Sequence, residues 1–157
     1  MTQLQNLDDV IGNYTGLSRV VLDYSQIMKR LVGEAKQPGF SEASWAPIAA
    51  MIDTESFERI GNFKELMHWP DYVTFLTNWA MGCDWDCSFK RITEAPGLVI
   101  LELEERVVMG DYRSAVNSVS VYEFNDAGKI VHLDIYLQMP LPDSSILDTY
   151  EGIQITE

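Results

Sequence analysis

The side chains best suited to moving a proton stand in very different settings along this sequence. Glu105 interrupts a row of alternate apolar residues, Val99, Leu101, Leu103, Val107 and Met109. On a regular strand that row faces inward, and burial there would raise the carboxyl pKa and make Glu105 a usable acid or base. The bland alternative places Glu105 beyond the core, near a hairpin mouth. His68 directly precedes Trp69-Pro70-Asp71, where an uncoordinated imidazole at a helix entrance could exchange protons near neutral pH or could simply be capping or exposed. Tyr24 recurs at helical spacing with Leu17, Val20, Val21, Ile27, Met28 and Leu31, which puts its hydroxyl on a buried stripe. His132 and Asp134 form a conspicuous His-x-Asp pair, but they alternate with Val131, Leu133, Ile135, Leu137 and Met139. Parity therefore sends the pair to the convex side of its strand, toward water or a second subunit. Cys83 and Cys87 match neither a CxxC redox pair nor half of a zinc site, so metal binding is not expected and Cys87 reads as an apolar filler.

These groups must be positioned by two kinds of element. Trp85 to Arg91, Leu98 to Met109, Ser114 to Phe124 and Lys129 to Met139 read as consecutive strands, separated by Pro96-Gly97, Gly110-Asp111 and Asn125-Asp126-Ala127-Gly128. Before them come helical segments: a short one around Leu4 to Ile11, a long one over about Leu17 to Val32, and one capped by Ser41 or Ser44 through Trp45, Ile48 and Met51. A further helix opens at Trp69-Pro70-Asp71 and continues through Val73, Leu76 and Trp79. Phe57 to Ile60 is a short strand. Helices followed by an antiparallel meander predict an α+β fold in which one curved sheet wraps around N-terminal helices as a cone. Residues 1–140 form that domain, and residues 141–157, with Pro142, Asp143, Ser144 and Ser145, form an arm that could dock through Ile153 and Ile155.

Alternation nominates the lining of the cone. Trp85, Cys87 and Phe89 share the inward side of one strand, Leu103 that of the next, and Leu133, Ile135 and Leu137 that of the last. The strand between is ambiguous, because Val119 and Val121 compete with Val116, Ser118, Ser120, Tyr122 and Phe124. Trp45, Trp69, Trp79 and Trp85, with seven methionines, could line a hydrophobic binding site or could equally be solid core.

A chain of 157 residues with 46% hydrophobic content is expected to bury ~68% of its unfolded surface as one domain. Eleven Lys and Arg against twenty-four Asp and Glu give a net charge of −13, which argues against nucleic acid and anionic membranes and leaves small molecules or proteins as partners. No run approaches ~20 apolar residues and the start lacks the order of a signal peptide, so a cytoplasmic location is the default expectation. A homodimer is expected through the convex sheet face, where Val119 and Val121 lie beside His132, Asp134 and Tyr136.

The order of elements, with Phe57-Glu58-Arg59-Ile60, the Trp69-Pro70-Asp71 helix start and Tyr122-Glu123-Phe124-Asn125-Asp126-Ala127-Gly128-Lys129-Ile130-Val131, resembles the NTF2-like superfamily and most nearly its SnoaL-like branch. The resemblance covers about Leu17 to Pro140. It implies a cone used by ketosteroid isomerases, scytalone dehydratase, polyketide cyclases and epoxide hydrolases, and also by non-catalytic binding and adaptor domains. It implies that Tyr24 matches a first-helix tyrosine that donates to a substrate oxygen. Arg59 and Ser120 then fall near positions where isomerases carry catalytic aspartates, which neither side chain can replace. The function expected is an enzyme without metal or cofactor that isomerises, cyclises or dehydrates a small apolar molecule, with Tyr24, His68 and Glu105 as its catalytic groups. A carrier for a hydrophobic ligand is the alternative, and an adaptor with a filled cone a third.

Overall fold

The β-rich half follows from alternation and from glycine at the turns. The computed structural model describes residues 3–140 and 150–154. In chain order its elements are β1 (Gln5–Asn6), α1 (Leu7–Val10), α2 (Gly16–Glu34), α3 (Ala46–Ala49), β2 (Glu58–Ile60), β3 (Leu66–His68), α4 (Trp69–Gly82), β4 (Asp84–Ala95), β5 (Leu98–Met109), β6 (Tyr112–Phe124) and β7 (Ile130–Gln138). The strands form one sheet in the order β1-β4-β5-β6-β7-β2-β3. Every pair is antiparallel except β2 against β7. The two end strands do not pair with each other, so the curved sheet stays open and the helices fill its concave side.

The long meander matches the expected strands closely. Leu98 follows a turn in which Gly97 takes φ +69°, a backbone conformation that a side chain would strain. In β4 the register slips between Phe89 and Arg91, and this bulge lets Ile92 return to the inner face after Lys90 and Arg91 have pointed away. The ambiguity of β6 is resolved by its pairing: Val116, Ser118, Ser120 and Tyr122 are buried, whereas Val119 and Val121 lie half-exposed on the other face.

Three local expectations are corrected. The segment capped by Ser41 is a 3-10 turn, Glu42–Trp45, that runs into the single turn α3, and it stops before Met51. Two short strands, β1 and β3, were not expected; both are edge strands held by only a few pairings, too short for alternation to reveal. In the arm, Ile153 is 59% exposed and does not dock against the described residues, while Pro142, Asp143, Ser144, Ser145 and Ile155 lie outside them.

Helix α2 is the spine of the core. Its buried face carries Val21, Leu22, Tyr24, Met28, Leu31 and Val32; of the stripe read from the sequence Val21, Tyr24, Met28 and Leu31 are buried, whereas Leu17, Val20 and Ile27 are half-buried. Lys29 on its solvent side pairs with Asp86 of β4 at 2.7 Å and ties helix to sheet. Phe89 of β4 is 4% exposed and packs on the Tyr14 ring at 6.0 Å. Phe89→Ala is expected to cost about 3–5 kcal/mol in a urea melt. A loss within ~0.5 kcal/mol would show that this ring carries no core packing.

Candidate active site

Strand register aligns the inner side chains into rows across the sheet. Val99, Tyr122, Leu133 and Arg59 form one row, Leu101, Ser120 and Ile135 the next, Phe89, Leu103, Ser118 and Leu137 a third, and Cys87, Glu105 and Val116 a fourth. Helix α2 covers this face with Tyr24, Ser25 and Met28, and α4 with Tyr72, Phe75, Leu76 and Trp79. Between helices and sheet lies a cavity of about 250 Å³. Its space comes from small side chains, Ser25, Ser114 and Ser120, at positions where larger ones would have met across the core.

Most of the lining is apolar, and the polar groups converge. The Tyr24 and Tyr72 hydroxyls share a buried hydrogen bond of 2.6 Å between helices. Tyr24 stands edge-on to Tyr122, ring centres 5.6 Å apart, and Tyr72 stacks on Phe57 at 5.6 Å. Burial pushes the pKa of all three phenols up. They remain neutral at physiological pH and therefore remain hydrogen-bond donors. For Tyr72, Arg59 opposes the effect of burial and Glu105 adds to it, so both charges act on this one hydroxyl.

Glu105 enters the cavity from β5, half-buried, and its Oε2 accepts a hydrogen bond from the Trp85 indole Nε1 at 3.0 Å. Among the described residues its second carboxylate oxygen has no hydrogen-bond partner. Arg59 enters from β2, six residues along the strand direction from the Glu105 row, which is about 20 Å at the backbone. The site therefore has a cationic end, a carboxylate attached at a distance from it, and neutral phenol donors influenced by both. Such a set can bind a polarised oxygen and can transfer a proton.

The structure gathers Tyr24, Arg59, Trp79, Trp85, Leu103, Glu105, Ser120, Tyr122, Leu133, Ile135 and Leu137 around this cavity. Four other nominated residues are placed elsewhere. Trp45 is fully buried behind α4, its indole N–H donating to Thr77 Oγ1 at 3.0 Å. Trp69 packs edge-on against Phe57 and Tyr72 from outside the lining. Phe89 faces Tyr14 because β4 runs on toward the N-terminal segment. His68 ends β3 and precedes α4; its backbone N–H donates to Asp71 Oδ2 at 3.2 Å and its Nδ1 lies 3.3 Å from the Phe57 carbonyl oxygen. The imidazole is thus turned to the β2–β3 edge and not to the cavity mouth. His132 and Asp134 contact each other at 3.0 Å on the outer face.

Tyr72 is the residue that sequence reasoning missed. The signal was present, since Tyr72, Leu76 and Trp79 recur at i, i+4 and i+7 along α4. Nothing in the sequence, however, brings Tyr72 against Tyr24, 48 positions away. Both cysteines are free and buried, and burial first, then Glu105, pushes the Cys87 thiol up to about 12. Among the described residues no group of three or more His, Cys, Asp or Glu is arranged to hold a metal ion, and no helix is long and apolar enough to cross a membrane.

No family model matches this sequence, and no curated protein matches it. Solved structures match it by shape. An NTF2-like protein from Anabaena variabilis superposes with a TM-score of 0.54 at 17% identity, covering 81% of this chain and 96% of that one. An LEH-like epoxide hydrolase from M. tuberculosis gives 0.53 at 16% identity, covering 82% and 90%. A candidate SnoaL-like polyketide cyclase from Shewanella putrefaciens gives 0.53 at 9% identity, covering 73% and 89%. The chain has the NTF2-like fold, a cone shared by enzymes and by proteins of unknown function. Identities this low carry the architecture and not the chemistry.

Proposed function

We propose that this chain is a small-molecule enzyme of the SnoaL-like kind, which isomerises, cyclises or dehydrates an apolar substrate by proton transfer. The observation that carries this is the buried Tyr24–Tyr72 hydroxyl pair in an apolar cavity that also holds Glu105. One hydroxyl of the pair donates to the other, and the phenol whose O–H is left free donates to a substrate carbonyl oxygen, so that the coupled pair holds the negative charge that develops on it. Glu105 removes a proton from the adjacent carbon and returns it to another atom of the substrate or to a departing hydroxyl. Proton transfer of this kind supplies ~10²–10⁴-fold and preorganised donors supply more.

Deuterium exchange into 2-tetralone tests the idea, because its α-hydrogens are acidic, its body is apolar and proton NMR follows their loss in D₂O. Exchange above the buffer rate, abolished by filling the cavity with Ser120→Phe, is the expected result. If native protein exchanges no faster than buffer, the catalytic proposal falls. The lining of Met28, Trp79, Trp85 and Met139 would then favour a carrier of hydrophobic ligands.

The chain is also proposed to pair with a second copy through the outer face of β6 and β7. Tyr136, 60% exposed, stands opposite Val119 there, and Asp134 opposite Val121. Light scattering checks this; a monomer mass that stays constant through micromolar concentrations would refute it.

A further inference from the structure

Arg59 is a buried cation with no short hydrogen bond to a carboxylate among the described residues. It is 9% exposed, and its guanidinium lies over the rings of Tyr72 at 5.3 Å and Phe75 at 5.4 Å. Those contacts stabilise the face of the guanidinium, yet its five N–H donors lie in the plane. In that plane Nε is buried with no hydrogen-bond partner among the described residues. Nη1 reaches Glu65 Oε1 only at 3.5 Å and Met67 Sδ at 3.9 Å.

The Glu65 contact is also a constrained one. Glu65 sits on the loop between β2 and β3, where its other oxygen accepts the Phe63 backbone N–H at 2.9 Å. Its carboxylate lies across Gly61 so tightly that a Cβ there would collide with it. The loop thus already fixes Glu65, and the carboxylate approaches Arg59 from the rim without reaching a short bidentate arrangement. A charge taken this far from water is costly unless it is paired and hydrogen-bonded. Arg59 also lines the cavity, whose remaining carboxylate, Glu105, is attached three rows further along the sheet.

We infer that the ligand of this cavity carries a carboxylate, which Arg59 receives while the apolar body of the ligand lies among Trp79, Leu103, Ile135 and Leu137. The inference rests on the cavity being a small-molecule site and adds the chemical class of the molecule, a compact apolar acid. The Tyr24–Tyr72 pair adjoins the same end of the cavity, and its one free O–H donates to an oxygen of the ligand beside its anionic group. Glu65 acts as a weak internal competitor for the guanidinium.

Naphthalene-2-carboxylate and the neutral naphthalene-2-carboxamide form a matched pair of probes, and quenching of Trp79 and Trp85 fluorescence or calorimetry reports their binding. Native protein is expected to bind the carboxylate at least about tenfold more tightly than the amide, the range of a charge-assisted hydrogen bond. Arg59→Gln removes that preference and leaves amide binding within about threefold of native. Glu65→Gln, which keeps the shape of the side chain and an oxygen for the Phe63 N–H, tightens the carboxylate by about threefold or more and leaves the amide unchanged. Equal binding of the two probes by native protein overturns the inference while leaving the cavity as a ligand site. Binding of neither probe, or a carboxylate preference that survives in folded Arg59→Gln, overturns it as well. A preserved preference in a protein that fails to exchange 2-tetralone would remove the catalytic proposal and uphold this one.

Discussion

Glu105→Gln is expected to lower the rate of 2-tetralone exchange by about 10²–10⁴. The substitution keeps shape and keeps an oxygen to accept the Trp85 indole N–H, which now bonds Oε2 at 3.0 Å. What it removes is the capacity to take up a proton. Glu105 is only half-buried, so exchanging charge for amide strands no partner in the core and the melting transition should move little. Glu105→Asp supplies the complementary control: it retains the base but withdraws it by one methylene, and is expected to fall between native and Gln. A Gln variant within about threefold of native would take Glu105 out of the proton transfer altogether, because a general base cannot be lost that cheaply.

Tyr24→Phe is expected to lower the same rate by about 10²–10³, as loss of one preorganised oxyanion donor does. The hydroxyl removed is one of a pair only 2.6 Å apart, so Tyr72 loses its partner at the same time. Stability is therefore measured alongside, since an unpaired buried hydroxyl costs about 1–3 kcal/mol. Tyr72→Phe should produce a similar loss, and the double variant should lose less than the product of the two, because the hydroxyls act as a unit. His132→Ala and Asp134→Ala serve as controls from the outer face and should leave turnover nearly unchanged. An inactive yet folded Asp134→Ala, with an active Tyr24→Phe, would move the acid–base chemistry to the other side of β7.

Much of this architecture is local, and local structure is legible in a sequence. The alternation in β4, β5 and β7 identified their inner faces because a strand has a period of two and one side of this sheet must be apolar. The same rule placed Glu105 inside and the His132–Asp134 pair outside, and the 3.6-residue stripe of α2 placed Tyr24 in the core. Where alternation was mixed, as in β6, only pairing with β5 and β7 decided that Ser118 and Ser120 face inward, and of the two Ser120 lines the cavity. His68 was misplaced because a helix entrance fixes the backbone and leaves open which side the ring takes; the Phe57 carbonyl, eleven residues earlier, turned it outward. Trp45 and Phe89 were correctly apolar and wrongly assigned, since hydrophobicity says that a ring is buried and not whether it meets other rings or empty space. The Tyr24–Tyr72 contact joins two helices, and the setting of Arg59 is made by Glu65 on the loop before β3, Met67 on β3, and Tyr72 and Phe75 on α4. Neither has a sequence period, because both are properties of the packed interior and come into being only when the sheet closes over the helices.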